Sequence, residues 1–473
     1  MKILLINPPY VNLSGIKNSG GHAMPLNLAY LAAFIREKVN CEIQVMDCEN
    51  KGLSYGEIQK QVKDIKPDVV GITFPTPSFE HVVKITEDIK SSGYPTKVVV
   101  GGAHPSAFPK ETAFIPSIDF VVFGEGEITF LELIEAIRDG RDEYSGIKGI
   151  AYKRGGEVIV NEERPLLEDI DTLPFPARDL FDLSLYYPAA TKKVSNFKST
   201  SIISSRGCPY DCIHCISKLI WKQRVRYRSL DSLIREIKHC IDTYDIREFN
   251  FYDDTFTINK KRVMDFAKRI SSEKIEIAWI CFGRVNTIDA EMAEAMKNAG
   301  CRKVSFGLES GSQEILDIMR KQSTLKMARE AVRVVNAAGM QVHASFMIGN
   351  IGETPKTIRE TIDFAKSLDL DNATFFITAP FPGTELYRIA KNKGFIAPDV
   401  TWDRFAPITK AHPVLVQDEI SGENLIRWQK RAFIEFYLRP SYVIKKLKRI
   451  NTLGDLRILL EGLGVFFRLQ RKK

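Results

Sequence analysis

Ser201-Ile202-Ile203-Ser204-Ser205-Arg206-Gly207-Cys208-Pro209-Tyr210-Asp211-Cys212-Ile213-His214-Cys215 is a short β-rich run that breaks into a loop with three cysteines inside eight residues. The other five, Cys41, Cys48, Cys240, Cys281 and Cys301, are scattered, as small buried hydrophobes are. Three thiolates this close on one loop can hold one inorganic centre. A four-iron cubane held by three cysteines keeps one iron open to a further ligand. Zinc is the plainer alternative, but a structural zinc site asks for four ligands, often two CxxC pairs. His214 could be the fourth, yet it sits awkwardly between two of the cysteines. A purely structural role is the third reading.

Outward from this loop the chain repeats a strand-then-helix alternation. Strands are expected at 201–205, 248–253, 275–282, 303–309, 341–349 and 373–380, with helical stretches such as 229–244 and 355–368 between them. Six such units predict a partial (β/α)6 barrel over 196–395, with the cysteine loop at the carboxyl end of its first strand, where active-site loops belong. In front of it, residues 1–140 read as five β/α units with strands at 2–7, 42–47, 69–74, 97–102 and 119–123. Their near-continuous apolar character fits parallel strands covered on both faces. A doubly wound, flavodoxin-like α/β domain of this kind binds its ligand at the carboxyl ends of the strands, here the loops 47–52, 73–78, 101–106 and 124–127. Residues 141–195 read as a connector, with a hairpin turning at Gly155-Gly156 and an irregular stretch marked by Pro174, Pro176 and Pro188. Residues 396–473 are expected to form a helical, basic C-terminal region.

Composition narrows the classes. The chain has 473 residues, 44% hydrophobic and 27% charged, which predicts folded domains. No apolar run approaches the ~20 residues of a membrane span, and no secretory signal is legible, so a cytoplasmic protein is expected. The net charge is +8. From Ser421 onward there are 13 Lys/Arg and 4 Asp/Glu, a balance of +9, which leaves −1 for the rest. A neutral body with a basic tail argues against a nucleic-acid-binding surface.

The CxxxCxxC spacing on the first strand's loop of a six-unit barrel resembles the radical S-adenosylmethionine (SAM) superfamily. The resemblance implies that Cys208, Cys212 and Cys215 ligate a [4Fe–4S] cluster. Its open iron binds SAM, whose reductive cleavage yields a 5′-deoxyadenosyl radical, with a flavodoxin or ferredoxin as electron donor. The protein's part is to orient the cofactor and exclude water. Tyr210 and His214 on the loop would lie against the cofactor. Asp253 or Asp254 would hold its amino group, although an Asp after a strand is as often a helix N-cap. Arg284 would pair its carboxylate, and Glu309 or Ser310 its ribose hydroxyls. Gly349-Asn350-Ile351-Gly352-Glu353-Thr354 is similar to the family's Gly-Leu-Pro-Gly-Glu-Thr without the proline.

The leading domain is similar to the cobalamin-binding domain of the B12-dependent radical SAM subfamily. Pro8-Pro9, Pro25–Leu31, Val100–Pro105 and Phe123–Glu127 carry that resemblance. It implies that Thr73, Gly101, Gly102, His104, Gly124, Glu125 and Gly126 line a cobalamin site. Asp47-Cys48-Glu49-Asn50-Lys51-Gly52 keeps the Asp and Gly of the Asp-x-His-x-x-Gly motif but has Glu49 for the histidine, so no histidine ligand is expected from this loop. His104 is the rival. No Gly-x-Gly-x-x-Gly follows the first strand, which disfavours a dinucleotide.

The resemblance implies a methyltransferase acting on an inert carbon of a small molecule, lipidic or tetrapyrrole substrates included. One SAM would methylate the cobalamin and a second would supply the radical. The rivals are a non-methylating radical enzyme, such as an oxidative cyclase of a porphyrin ester or a ring-rearranging enzyme, and a non-catalytic cobalamin- or metal-binding module. A transfer-RNA methylthiotransferase would need a second cluster, for which the other cysteines are not grouped. The tail, with an apolar stripe over Leu456–Phe467 and flanking Lys and Arg, reads first as a helical cap on the barrel and second as a peripheral membrane contact.

Overall fold

A computed structural model describes residues 1–10, 21–189, 191–406, 413–417 and 420–447. Its first sheet holds seven strands: β1 (Lys2–Asn7), β2 (Glu42–Asp47), β3 (Val69–Thr73), β4 (Lys97–Gly101), β5 (Phe120–Val122), β6 (Ile150–Arg154) and β7 (Glu157–Val160). They lie in the order β2-β1-β3-β4-β5-β6-β7. The first five are parallel, in the flavodoxin-like order 2-1-3-4-5, with the switch point between β1 and β3. Two apolar clusters sandwich this sheet. Ile3, Leu5, Val69, Val99 and Val122 pack on one face with helix α1 (Leu26–Lys38) and helix α2 (Glu127–Arg138); Leu4, Ile6, Val70, Val98 and Val121 face the other. Period-2 alternation with both sets buried is why the strands read as continuous apolar runs.

The hairpin expected in the connector does form, but it is no free-standing linker feature. β6 pairs antiparallel with β5 and β7 with β6, extending the first sheet at its edge. Burial of Ile150, Ala151 and Tyr152 drives that docking.

The second sheet runs in sequence order through β8 (Lys198–Ile202), β9 (Ile246–Phe251), β10 (Ala278–Gly283), β11 (Cys301–Glu309), β12 (Gln341–Ile348) and β13 (Asn372–Ile377), all parallel. Each expected strand is present. The first ends earlier than expected, at Ile202, because Ser205–Arg206 leave the sheet to pair antiparallel with Arg226–Tyr227. Outward residues such as Phe249, Phe251, Trp279, Val304, Phe306 and Phe346 form one core with the covering helices. Among those helices is α3 (Pro355–Ser367), started by Thr354 at its N-cap and Pro355 at its first position.

The described end of the chain caps this barrel. Helix α4 (Gly422–Tyr437) lays Phe433 and Phe436 on Phe375, while Glu435 binds Arg359 and Lys366 of α3. Helix α5 (Pro440–Leu447) follows, with Lys445 2.5 Å from Asp369. The apolar stripe 456–467 expected in the tail lies outside the described residues. No described helix is long and apolar enough to cross a membrane.

Candidate functional site

The cysteine loop leaves Arg206 through Gly207, whose φ is +101° and whose missing Cβ would lie 1.9 Å from the Arg224 carbonyl oxygen. Only glycine fits a positive φ at that approach. Asp254, just past β9, accepts the Gly207 N–H at 3.0 Å. Cys212 is buried and Cys208 and Cys215 are half-buried; all three are free thiols. Burial pushes the Cys215 thiol up to about 12, so a metal there displaces a proton. Cys208 Sγ lies 3.8 Å from Thr255 Oγ1, and Cys212 Sγ 3.5 Å from Arg284 Nη1. The Arg284 guanidinium sits over the Tyr210 ring, 3.5 Å from its centroid, and its other nitrogens reach Asn286 and the Lys321 carbonyl. His214 has a buried Nδ1 with no hydrogen-bond partner, and burial pushes its pKa down to about 4. Three thiols, a cation against one sulfur and an orphaned imidazole nitrogen fit a sulfur-ligated cluster with a bound cosubstrate beside it.

The two aspartates at the end of β9 separate in role. Asp253 is consumed internally. It accepts from Ser204 N, Ser204 Oγ and Ser205 Oγ at 2.7, 2.6 and 2.5 Å, clamping β9 to the segment that leads into the cysteine loop. Of the two aspartates that could hold the cofactor's amino group, Asp253 is the one these three bonds tie to the protein itself. Asp254 lines the interdomain cavity, and burial raises its pKa against the bonds it accepts from Gly207 and Ser217.

At the end of β11 a register irregularity between Gly307 and Glu309 puts Glu309 at φ +63°, an uncommon place for a non-glycine residue. Its carboxylate accepts from Lys321 Nζ at 2.7 Å. Burial works to raise the Glu309 pKa, but Lys321, with His214 and Arg284 near it, holds it below the ordinary range. Ser310 is drawn away. It is fully buried, with its hydroxyl 3.1 Å from Thr361 Oγ1 on α3, so of the expected pair only Glu309 faces the site. Gly349 begins a turn that Glu353 closes, its carboxylate accepting from the Gly349 and Asn350 N–H groups at 2.5 and 2.9 Å. Gln417 binds the same turn from the C-terminal region, at the Asn350 carbonyl (2.9 Å) and the Gly352 N–H (3.0 Å). The turn is thus shaped by a buried acid rather than by the missing proline.

Between the two sheets' carboxyl ends lies a cavity of about 320 Å³. Asn27, Thr73, Gly101, Gly102 and Gly124–Gly126 line one side; Ser205, Arg206, Tyr252 and Asp254 line the other. Gly102 has φ +105°, and a Cβ there would lie 2.8 Å from the Phe74 carbonyl oxygen, so the cradle needs glycine. Asn27 donates to Thr73 Oγ1 at 3.0 Å. Glu125 spends its carboxylate on Arg206 and Arg226, each at 2.7 Å, while Glu127 accepts from Arg206 at 2.6 Å. Burial works against charge on Glu127, but Arg206 outweighs it and holds the pKa below the ordinary value. His104 is a correction: it does not line the cavity. It sits in an aromatic cage of Phe74, Phe79, Phe108 and Trp402, with Nδ1 3.2 Å from Thr76 Oγ1. Burial pushes it down to about 4. The Asp47 loop is self-contained, with Asp47 capping Asn50 and accepting from Tyr186 and Asn7.

The fold thus brings together the three cysteines, Tyr210, His214, Arg284, Asp254 and Glu309, and sets the glycine loops of the first domain opposite them. Sequence reasoning missed Arg206, Arg226 and Lys321. The one legible hint was a basic residue two places before Cys208, matched by the alternate acids Glu125 and Glu127.

A doubly wound domain and a partial barrel that face each other across one cavity define a two-cofactor enzyme. Residues 202–365 match the model of the radical SAM superfamily and residues 15–134 that of the B12 binding domain. An uncharacterized methyltransferase of Pyrococcus horikoshii is 38% identical over 94% of this chain and 95% of its own. The anaerobic magnesium-protoporphyrin IX monomethyl ester cyclase of Rubrivivax gelatinosus is 26% identical over 98% of this chain and 83% of its own. The solved structure of TsrM from Kitasatospora setae, a radical SAM methyltransferase with cobalamin and a [4Fe–4S] cluster bound, shares the fold. Its TM-score is 0.70 at 20% identity, over 93% of this chain and 89% of that one. This chain belongs to the cobalamin-dependent radical SAM enzymes, a family of methyltransferases and cyclases whose cofactors are a [4Fe–4S] cluster, SAM and cobalamin.

Proposed function

We propose that this chain transfers a methyl group to an unactivated carbon of a small-molecule substrate, with Cys208, Cys212 and Cys215 holding the cluster. The observation that carries the reading is the shared cavity: the glycine cradle of one cofactor domain and the Asp254 edge of the other line the same space. With both cofactors bound, the chemistry supplied is hydrogen-atom abstraction by a SAM-derived radical and methyl delivery from cobalamin. The protein's own groups do the rest. Arg284, against Cys212 and Tyr210, would place a cation beside the cluster that the cysteines hold and would pair a carboxylate. Asp254 offers an acceptor to an ammonium group, and Glu309, held by Lys321, an acceptor to hydroxyls. Tyr210 and His214 supply flat surfaces, while the backbone of Gly349, expected to touch the cofactor, is taken up by Glu353 and Gln417. Gly101, Gly102 and Gly124–Gly126 admit a large flat ring. A small reductant of the ferredoxin or flavodoxin type would deliver the electron.

The test is anaerobic reconstitution with iron, sulfide, cobalamin and methyl-labelled SAM, then reduction. Methyl transfer predicts both 5′-deoxyadenosine and S-adenosylhomocysteine, with label in the product. A cyclase or rearranging enzyme gives 5′-deoxyadenosine without S-adenosylhomocysteine. A binding module gives neither.

A further inference from the structure

The inward face of the barrel has a composition that cluster and cobalamin binding do not explain. On β12, Val342, Ala344, Phe346 and Ile348 are buried outward, while Gln341, His343, Ser345 and Met347 point inward and stay half-exposed. A strand this central, packed on both sides, would bury both sets; here the interior is open. Backbone register sets Phe282, Ser305, His343 and Asn372 in one row across β10 to β13, with Met347 and Phe376 paired nearer the carboxyl ends. The interior is therefore apolar near the cysteine loop and polar further down.

Across it runs a strap from the connector, residues 191–195. Lys303 on β11 donates to the Thr191 carbonyl at 2.5 Å, and Ser195 donates to Glu248 on β9. These ties hold Lys192 over two rings, 5.0 Å from the Tyr252 centroid and 5.9 Å from that of Phe282, with its ammonium 3.1 Å from the Tyr252 hydroxyl. Among the described residues no carboxylate pairs with Lys192. His343 is kept neutral by burial and by the nearby charges of Lys303 and Lys192, and bonds Thr374 at 3.1 Å. Two further atoms on the inward face of β9, Glu248 Oε1 and Asn250 Oδ1, are buried and have no hydrogen-bond partner. Unmet acceptors in such a place cost free energy until a donor arrives.

We propose that the barrel interior is the substrate subsite for a small organic anion, a carboxylate or a phosphate ester. Its acidic group sits at Lys192, a hydroxyl or N–H donor reaches Glu248 and Asn250, and its carbon skeleton lies along Phe282, Met347 and Phe376 toward the cysteine loop. This rests on the methyl-transfer reading for its reaction but not for its binding. A lysine poised over aromatic rings attracts an anion at its open face while the rings exclude water. The strap, which belongs to neither cofactor domain, thereby selects the substrate's charge.

The experiment is equilibrium binding to the reconstituted full-length enzyme, with four probes that share one tail: hexanoate, hexyl phosphate, hexanol and hexylammonium. The two anions are expected to bind about tenfold or more tighter than hexanol, and hexylammonium weaker than hexanol. Whichever anion binds tighter names the acidic group. Lys192→Gln is expected to remove the preference and Lys192→Arg to retain it, while Lys193→Gln, on the exposed neighbour, leaves it unchanged. Hexanol binding as tightly as hexanoate would overturn the proposal, as would Lys192→Gln keeping the anion preference or Lys193→Gln abolishing it. Cleavage of SAM in the same samples reports the radical reading separately: anion selectivity without cleavage sinks only that reading, and cleavage without selectivity sinks only this one.

Discussion

At the scale of single residues, burial separates groups that the sequence lists as equals. Asp253 and Asp254 are adjacent, but one clamps two strands and the other faces the cavity. His104 and His214 both looked available; the first is caged by four aromatic rings and the second has an orphaned nitrogen beside the cysteines. With Glu49 in the histidine's place and His104 caged, the paramagnetic resonance spectrum of the reduced, cobalamin-loaded protein is expected to lack nitrogen hyperfine splitting. Clear splitting would mean a histidine does reach the cobalt. Glu353 carries a pH prediction. Burial raises its pKa from the ordinary 4.5 to about 7. A carboxyl that holds its proton more tightly when folded stabilises the fold fully below the unfolded pKa and loses that contribution as pH rises through the folded one. Stability is therefore expected to fall by up to about 3 kcal/mol between about pH 4.5 and pH 7 from this group. Glu353→Gln, which still accepts from Gly349 and Asn350, should flatten that part of a denaturant-midpoint profile against pH.

At the scale of elements, the presence and order of the strands along the chain were legible because their pattern is local, while several ends shifted by about three residues. Period-2 apolar alternation sets a strand, and glycine with polar residues sets its end. The Ser205–Arg206 excursion was not legible, since it depends on pairing with Arg226–Tyr227, twenty residues on. That pairing is what forces Gly207 against the Arg224 carbonyl. Gly207→Ala should destabilise the fold by roughly 1–3 kcal/mol and lower iron loading of the reconstituted protein beyond what its melting temperature accounts for. Iron content equal to wild type would show the loop tolerates a side chain. Removing the cation beside Cys212 by Arg284→Met should weaken cluster retention about 10- to 100-fold, read as the rate of iron loss to a chelator. Unchanged loss would make Arg284 irrelevant to the cluster.

At the scale of the whole molecule, two domains that could have been tethered loosely are locked by a buried charge network. Arg206 and Arg226 meet Glu125 and Glu127, with every one of the four side chains at most 10% exposed in its pairs. Breaking such a pair from one side leaves a buried charge uncompensated, so Arg206→Met is expected to cost about 3–5 kcal/mol. It should also let the first domain melt apart from the barrel in calorimetry; a single unshifted transition would show that the network does not couple them. The sequence alone determined the parallel strands of the two sheets and the loops at their carboxyl ends, but not the antiparallel hairpin that extends the first sheet. Apolar periodicity and the cysteine spacing are local properties, and strand-helix alternation admits few topologies. Only the tertiary structure decided which aspartate lines the cavity, that Ser310 and His104 turn away, and that a connector strap hangs Lys192 over an open barrel. Those outcomes depend on which distant side chain arrives to satisfy each buried polar group, and nothing in the local pattern records it. The three cysteines were readable at once; what surrounds them, and what the space beside them selects, took the fold.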